Sequence, residues 1–234
     1  MGSTHSANGL GNLIIGYNEV VGTIGGGGVF GDERPGSHNL VIGSGHEYTS
    51  WGGLVAGESN AVRAPSACVL GGALSTASGR YSVVSGGEGN TASGQGSSVS
   101  GGLNNTAGGL YASVSGGNRN TASYVACAVS GGVGNTASGT FSSVSGGEAN
   151  VASDRASSVS GGQSNEASGP AASVSGGESN GASNFGATVT GGRFNIASGR
   201  HSSVSGGVNV VQTTDLGWSG GSAGTEVAGH FRSP

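Results

Sequence analysis

Hydrophobic positions are sparse in this chain, and from residue 54 onward they fall on a fixed beat. Leu54, Val69, Val84, Val99, Val114, Val129, Val144, Val159, Val174, Val189 and Val204 stand fifteen residues apart without a slip. Six residues after the Val, from Val84 to Val189, comes an Asn, at Asn90, Asn105, Asn120, Asn135, Asn150, Asn165, Asn180 and Asn195, and two residues after that place an Ala, from Ala77 to Ala197. In Ser98-Val99-Ser100 the alternation has period two, which predicts a short strand with Val on one face and both Ser residues on the other. Asn105-Thr106-Ala107 reads as a second strand, Asn105 and Ala107 sharing a face, with turns at Gly101-Gly102 and Gly108-Gly109. A fifteen-residue period is too short for helix pairs or propeller blades. It fits one flattened coil of an all-β parallel β-solenoid, or β-roll, with two short strands per coil and about 12 coils. Stacking in register sets Val on Val, Ala on Ala and Asn on Asn. The Asn column is expected to hydrogen-bond its side-chain amides from coil to coil.

The same beat divides the chain. Residues 1–11 read as a flexible lead-in and residues 12–53 as degenerate first coils, because Asn12-Leu13-Ile14-Ile15-Gly16 returns as Asn39-Leu40-Val41-Ile42-Gly43. Between these phrases, residues 19–37 read as an inserted loop. The Ile and Leu content of the first coils fits an end that closes the core. Regular repeats fill residues 54–210, and residues 211–234, with Trp218 and Phe231, read as a C-terminal cap and tail.

Composition sharpens the picture. The 53 Gly fall in pairs fifteen apart rather than at every third place, which excludes collagen, and strict phase argues against a disordered linker. Charged residues are only 9% and the net charge is −4 with no basic run, so nucleic acid is not an expected partner. No apolar run approaches the ~20 residues of a membrane span. Met1-Gly2-Ser3-Thr4-His5-Ser6 fits an N-myristoylation pattern, with nothing else pointing to a lipid anchor. Cys68 and Cys127 lie four repeats apart, roughly 19 Å at one strand spacing per coil, beyond disulfide reach, and are expected to be free thiols.

Candidate chemistry is thin. Gly26-Gly27-Gly28-Val29-Phe30-Gly31 matches a dinucleotide fingerprint but lacks a strand before it and a helix after it. The carboxylates Glu88, Glu148, Glu178 and Asp154 do not recur at every coil, so no calcium ladder is expected. Asp32, His38, His46 and Glu47 form the one local grouping suited to a metal or acid–base work, and hydrogen-bonded structural roles suit them better. No cofactor, metal or catalytic activity is therefore expected. Twelve residues after the Val stand Tyr81, Tyr111, Phe141 and His201, with Gly or Ala in other coils. Such rings either cover the coil edge or form a candidate ligand surface together with variable turn residues Arg119, Arg155 and Arg193.

In its repeats the chain resembles the head region of trimeric autotransporter adhesins, bacterial surface proteins built on short Asn-Ser-x-Ala-Ile-Gly phrases. The two phrases beginning at Asn12 and Asn39 come closest, and Ser143-Val144-Ser145-Gly146-Gly147-Glu148-Ala149-Asn150 is similar to related Gly-Gly-x-x-Asn repeats of large bacterial surface proteins. The resemblance covers about two-thirds of the chain. It implies a left-handed β-roll, a homotrimeric head on the cell surface anchored by segments outside this chain, and binding to host or matrix proteins or glycans. The period is fifteen where that family more often has fourteen, and no heptad stalk is visible. Two other readings stand beside it: an ice-binding solenoid presenting outward Ser-x-Ser rows, and a structural spacer or fibre segment.

Overall fold

The structure is a computed structural model and describes residues 9–16 and 34–221. Most of the 19–37 insertion, with Asp32 and the Gly26–Gly31 phrase, lies outside the described residues, as do the myristoylation pattern and the tail with Phe231. All regular structure described is β-strand, and it forms the expected parallel β-solenoid of about 12 coils, about 15 residues each. The chain divides into two compact units, Met1–Arg119 and Asn120–Pro234.

In the first unit a valine sheet runs through Leu13–Ile15, Leu40–Ser44, Leu54–Glu58, Cys68–Val69, Val83–Val84, Ser98–Val99 and Ser113–Val114, paired parallel and in register. An alanine sheet runs beside it through Glu47–Tyr48, Ala61–Val62, Thr76–Ala77, Thr91–Ala92 and Thr106–Ala107. The second unit repeats the plan, its valine sheet running from Ala128–Val129 to Trp218–Gly221 and its alanine sheet from Thr121–Ala122 to Val211–Gln212. In each coil the two inward columns meet, and the repeat Val and Ala residues are essentially inaccessible to solvent. That core is one branched side chain and one methyl wide. Its cohesion therefore leans on the ladders of backbone hydrogen bonds between coils.

Three details go beyond the sequence reading. Residues two before the Val, such as Ala67, Ser82, Ser97 and Ala112, are also buried, because period two turns them inward with the Val. The hydroxyl of Ser82 accepts the Gly79 N–H (3.2 Å), and the Cys127 sulfur holds the same place, accepting the Tyr124 N–H (3.2 Å). Cys68 and Cys127 are both free. Single-residue bridges also form a third ladder, Glu58–Ala73–Glu88–Leu103–Asn118 in the first unit and Val133–Glu148–Gln163–Glu178–Arg193–Val208 in the second. One residue per coil carries no periodic signal of its own, so this ladder could not be read from the sequence.

The glycines divide their work differently from expectation. In the first turn of the coils from Gly71-Gly72 to Gly191-Gly192 only the second Gly is left-handed, as at Gly102 (φ 86°). In the second turn Gly94 is not left-handed; a Cβ there would lie 1.9 Å from the Gly109 carbonyl oxygen one coil on, a crowding that the coils with Tyr124, Asp154 and Asn184 at this place accommodate. The left-handed residue of that turn comes two places later, at Gly96 and Tyr111.

The ends also differ from the body. Ile14 pairs with Val41 at the head of the valine column, while Leu13 and Ile15 point outward on either side of it. Beyond Val210 the coil geometry continues to Gly221, with Gln212 and Ser219 buried where Ala and Val stand elsewhere and joined by a hydrogen bond of 3.1 Å.

Candidate functional site

The Asn column is the polar spine of each unit. Asn90 Oδ1 accepts the backbone N–H of Asn105 (2.9 Å), while Asn90 Nδ2 donates to the carbonyls of Gly86 and Gly102 (both 2.9 Å). Asn135, Asn150, Asn165 and Asn180 repeat the arrangement in the second unit, and Asn195 ends it by accepting the Val210 N–H. The expected amide-to-amide ladder is thus corrected: each side chain bonds backbone on both sides. The reason is geometric, since the Asn sits inside a turn whose own N–H and C=O groups point inward and need partners.

Two residues of this column vary. Ser75 offers only its hydroxyl, which accepts the Asn90 N–H (3.2 Å). His46, fully buried, accepts the Asn60 N–H at Nδ1 (3.2 Å) and has Nε2 against the Ile42 carbonyl (3.0 Å), so the proton belongs on Nε2. Burial pushes its pKa below the ordinary histidine value, and the nearby Arg34 guanidinium adds to that. Its neighbour Glu47 is buried in a bidentate pair with Arg63 (2.7 and 2.8 Å). His46 and Glu47 therefore hold structural positions, and among the described residues no group of three or more His, Cys, Asp or Glu could hold a metal ion.

The candidate surface residues fall on two different edges of the coil. Tyr81 and Tyr111 lie on one edge of the first unit's coils, and Phe141 and His201 hold the same place in the coils of the second unit, with Arg155 beside it. Arg119 and Arg193 lie on the opposite edge, where Arg193 stands 5.0 Å over the Phe194 ring. The first four residues and Arg119 all have left-handed backbone, with φ between 54° and 61°. Tyr81, Tyr111 and Phe141 are 51%, 61% and 59% exposed. Arg80 lies 4.8 Å over the Tyr81 ring, and Phe185 meets His201 edge-on at 5.1 Å with Arg200 over it. Arg80, Phe185 and Arg200 belong to this edge as well. Each directly precedes a left-handed residue, Tyr81, Gly186 or His201.

A second surface is set by what it lacks. The outward columns of the first unit's valine sheet read Leu13, Leu40, Leu54, Cys68, Val83, Ser98, Ser113 and Ile15, Ile42, Ala56, Leu70, Ser85, Ser100, Ser115, without one charged residue. Leu13, Ile15 and Leu70 are 61%, 53% and 50% exposed, so the first coils carry an open apolar patch that gives way to hydroxyls. The second unit's valine sheet presents Ser143, Ser145, Ser158, Ser160, Thr188 and Thr190 outward, again uncharged. No helix among the described residues is long and apolar enough to cross a membrane. In comparisons with known proteins, no family model matches this chain and no curated protein matches it.

Proposed function

We propose that the chain is a non-enzymatic display module: the head segment of a surface-exposed adhesin, extracellular or at a bacterial cell surface, assembled as a homotrimer. It offers its edge residues to cells, matrix proteins or glycans. One conformational observation carries this reading. A left-handed backbone costs a residue with a Cβ roughly 1–2 kcal/mol, and Gly96 and Gly186 take the same place in other coils without that cost. Ala126, Ala156 and Ala171 also hold this left-handed place, so the strain belongs to the turn; what sets Tyr81, Tyr111, Phe141 and His201 apart is that they put large exposed side chains there that add nothing to the core, which supports a surface role for them. Many weak contacts on a stiff repeat add through effective concentration.

The uncharged valine-sheet face supports the assembly. Copies related by rotation about the stacking axis bring equal heights together, so the Leu40–Ile42 level meets its own kind and hydroxyls meet hydroxyls. The test has two parts. Sedimentation equilibrium is expected to return three times the chain mass; a monomer with an unchanged melting profile refutes the assembly. Saturable attachment to cells or matrix-coated surfaces is expected to drop when Tyr81, Tyr111, Phe141 and His201 are all replaced by Gly, the residue that other coils use there. Attachment unchanged by those replacements refutes display, and thermal hysteresis in its place favours the ice-binding alternative.

A further inference from the structure

We infer that the Tyr81–Tyr111 edge of the first unit binds an extended β-1,4-linked polysaccharide, of glucose or of N-acetylglucosamine, laid along the stacking direction. The inference rests on the display reading and names a ligand class for part of it. Tyr81 and Tyr111 stand in one row two coils apart, separated by the coil of Gly96. Each coil advances by one strand spacing, so the backbone positions that carry the two rings recur at about 9.6 Å. In a β-1,4-linked chain successive sugars are turned over, and the same apolar pyranose face recurs on every second sugar, a disaccharide length that matches this interval. The axial C–H bonds of that face carry slight positive charge and meet the negative face of an aromatic ring.

The rings are held in place before any ligand arrives. Tyr111 N–H is bonded to the Gln95 carbonyl (2.9 Å) and Tyr81 N–H to the Pro65 carbonyl (3.2 Å), which fixes both left-handed turns. The Tyr111 ring lies against Gly96, where a Cβ would come within 2.7 Å of it, so the missing side chain leaves room for the ring in this position. Arg80 stands over the Tyr81 ring at 4.8 Å. Between the rings Gly96 leaves the row without a side chain, and exposed Gln95 offers an amide donor and acceptor to sugar hydroxyls. A protein partner of ordinary size needs about 800 Å² on each side, and a strip of two separated rings suits a narrow polymer better.

The full chain is tested by pull-down on microcrystalline cellulose and on chitin, and by calorimetry with the corresponding hexasaccharides and disaccharides. Saturable binding is expected on one arm, which identifies the sugar. The hexasaccharide is expected to bind at least about tenfold tighter than the disaccharide, because only the longer chain reaches both rings. Tyr111→Ala is expected to weaken binding by about three- to tenfold and Tyr111→Phe to leave it nearly unchanged. Ala126, Ala156 and Ala171 already hold this left-handed place, so Ala variants keep the fold, which circular dichroism verifies. Failure to bind either polymer overturns the inference. So do equal affinity for hexasaccharide and disaccharide, equal binding of an α-1,4-linked glucan, and binding unchanged in Tyr81→Ala/Tyr111→Ala. Attachment to cells that persists without glycan binding ends this inference alone; attachment to nothing ends the display reading.

Discussion

Asn150 sits in the middle of the second unit's polar spine, and its truncation has a magnitude that the structure sets. Its Oδ1 accepts the Asn165 N–H, and its Nδ2 donates to the carbonyls of Gly146 and Gly162, all at 2.9 Å and shielded from solvent. Asn150→Ala removes all three. The Gly162 carbonyl keeps the Glu148 N–H (2.9 Å), but the Asn165 N–H is left buried with no acceptor. One orphaned buried donor costs about 1–3 kcal/mol, and the vacated space adds to that, giving about 3 kcal/mol in all. Asn150→Ser should cost about 1 kcal/mol, because Ser75 shows that a hydroxyl in this column still accepts the next N–H. Asn150→Asp should be worse than Ala at neutral pH, since it turns a carboxylate oxygen toward two carbonyls, and should ease in acid. The assay is equilibrium denaturation followed by far-UV circular dichroism, with the slope checked for loss of cooperativity, since stacked repeats unfold through nearest-neighbour coupling. An Ala variant within about 1 kcal/mol of the parent, or a Ser variant as damaging as Ala, would refute the spine as the source of cohesion.

Three further outcomes are expected. His46 is held neutral with its pKa below 6.5, so the unfolded chain takes up the proton first; stability should be full above that pH and fall as pH drops through the window beneath it. His46→Asn, which supplies the residue used in later coils, should flatten that slope in melts recorded from pH 7.5 to 5. Arg63→Ala leaves the Glu47 carboxylate buried without its guanidinium and should cost about 2 kcal/mol, less than a fully buried pair because Arg63 is partly exposed; adding Glu47→Gln should recover part of the loss in urea titrations. Gly94→Ala drives a Cβ toward the Gly109 carbonyl, which must shift as it does in the coils that carry Asp154 or Asn184 at this place, and should cost about 2 kcal/mol, whereas Gly101→Ala meets nothing within 4 Å and should stay within about 0.5 kcal/mol; equal effects would disprove the division of labour between the two turns.

The sequence by itself determined the period, the strand type and the inward columns, because a repeat locked in phase has to stack like upon like. The buried Val and Ala columns were legible from residues such as Val99 and Ala107 alone. The tertiary structure decided how the polar groups are satisfied. Asn90 bonds backbone and not a neighbouring amide, because only the closed turn brings the Gly86 and Gly102 carbonyls to its Nδ2. It also decided which outward residues share a surface. Arg119 and Tyr111 are eight residues apart yet lie on opposite edges, while Tyr81 and Tyr111, thirty apart, lie on one. Spacing in a chain measures position around a coil only after the turns are known, and these turns rest on left-handed residues that are not all glycine. A Tyr at φ 55° has no local signature in the sequence; the bonds from the coil before it hold it there.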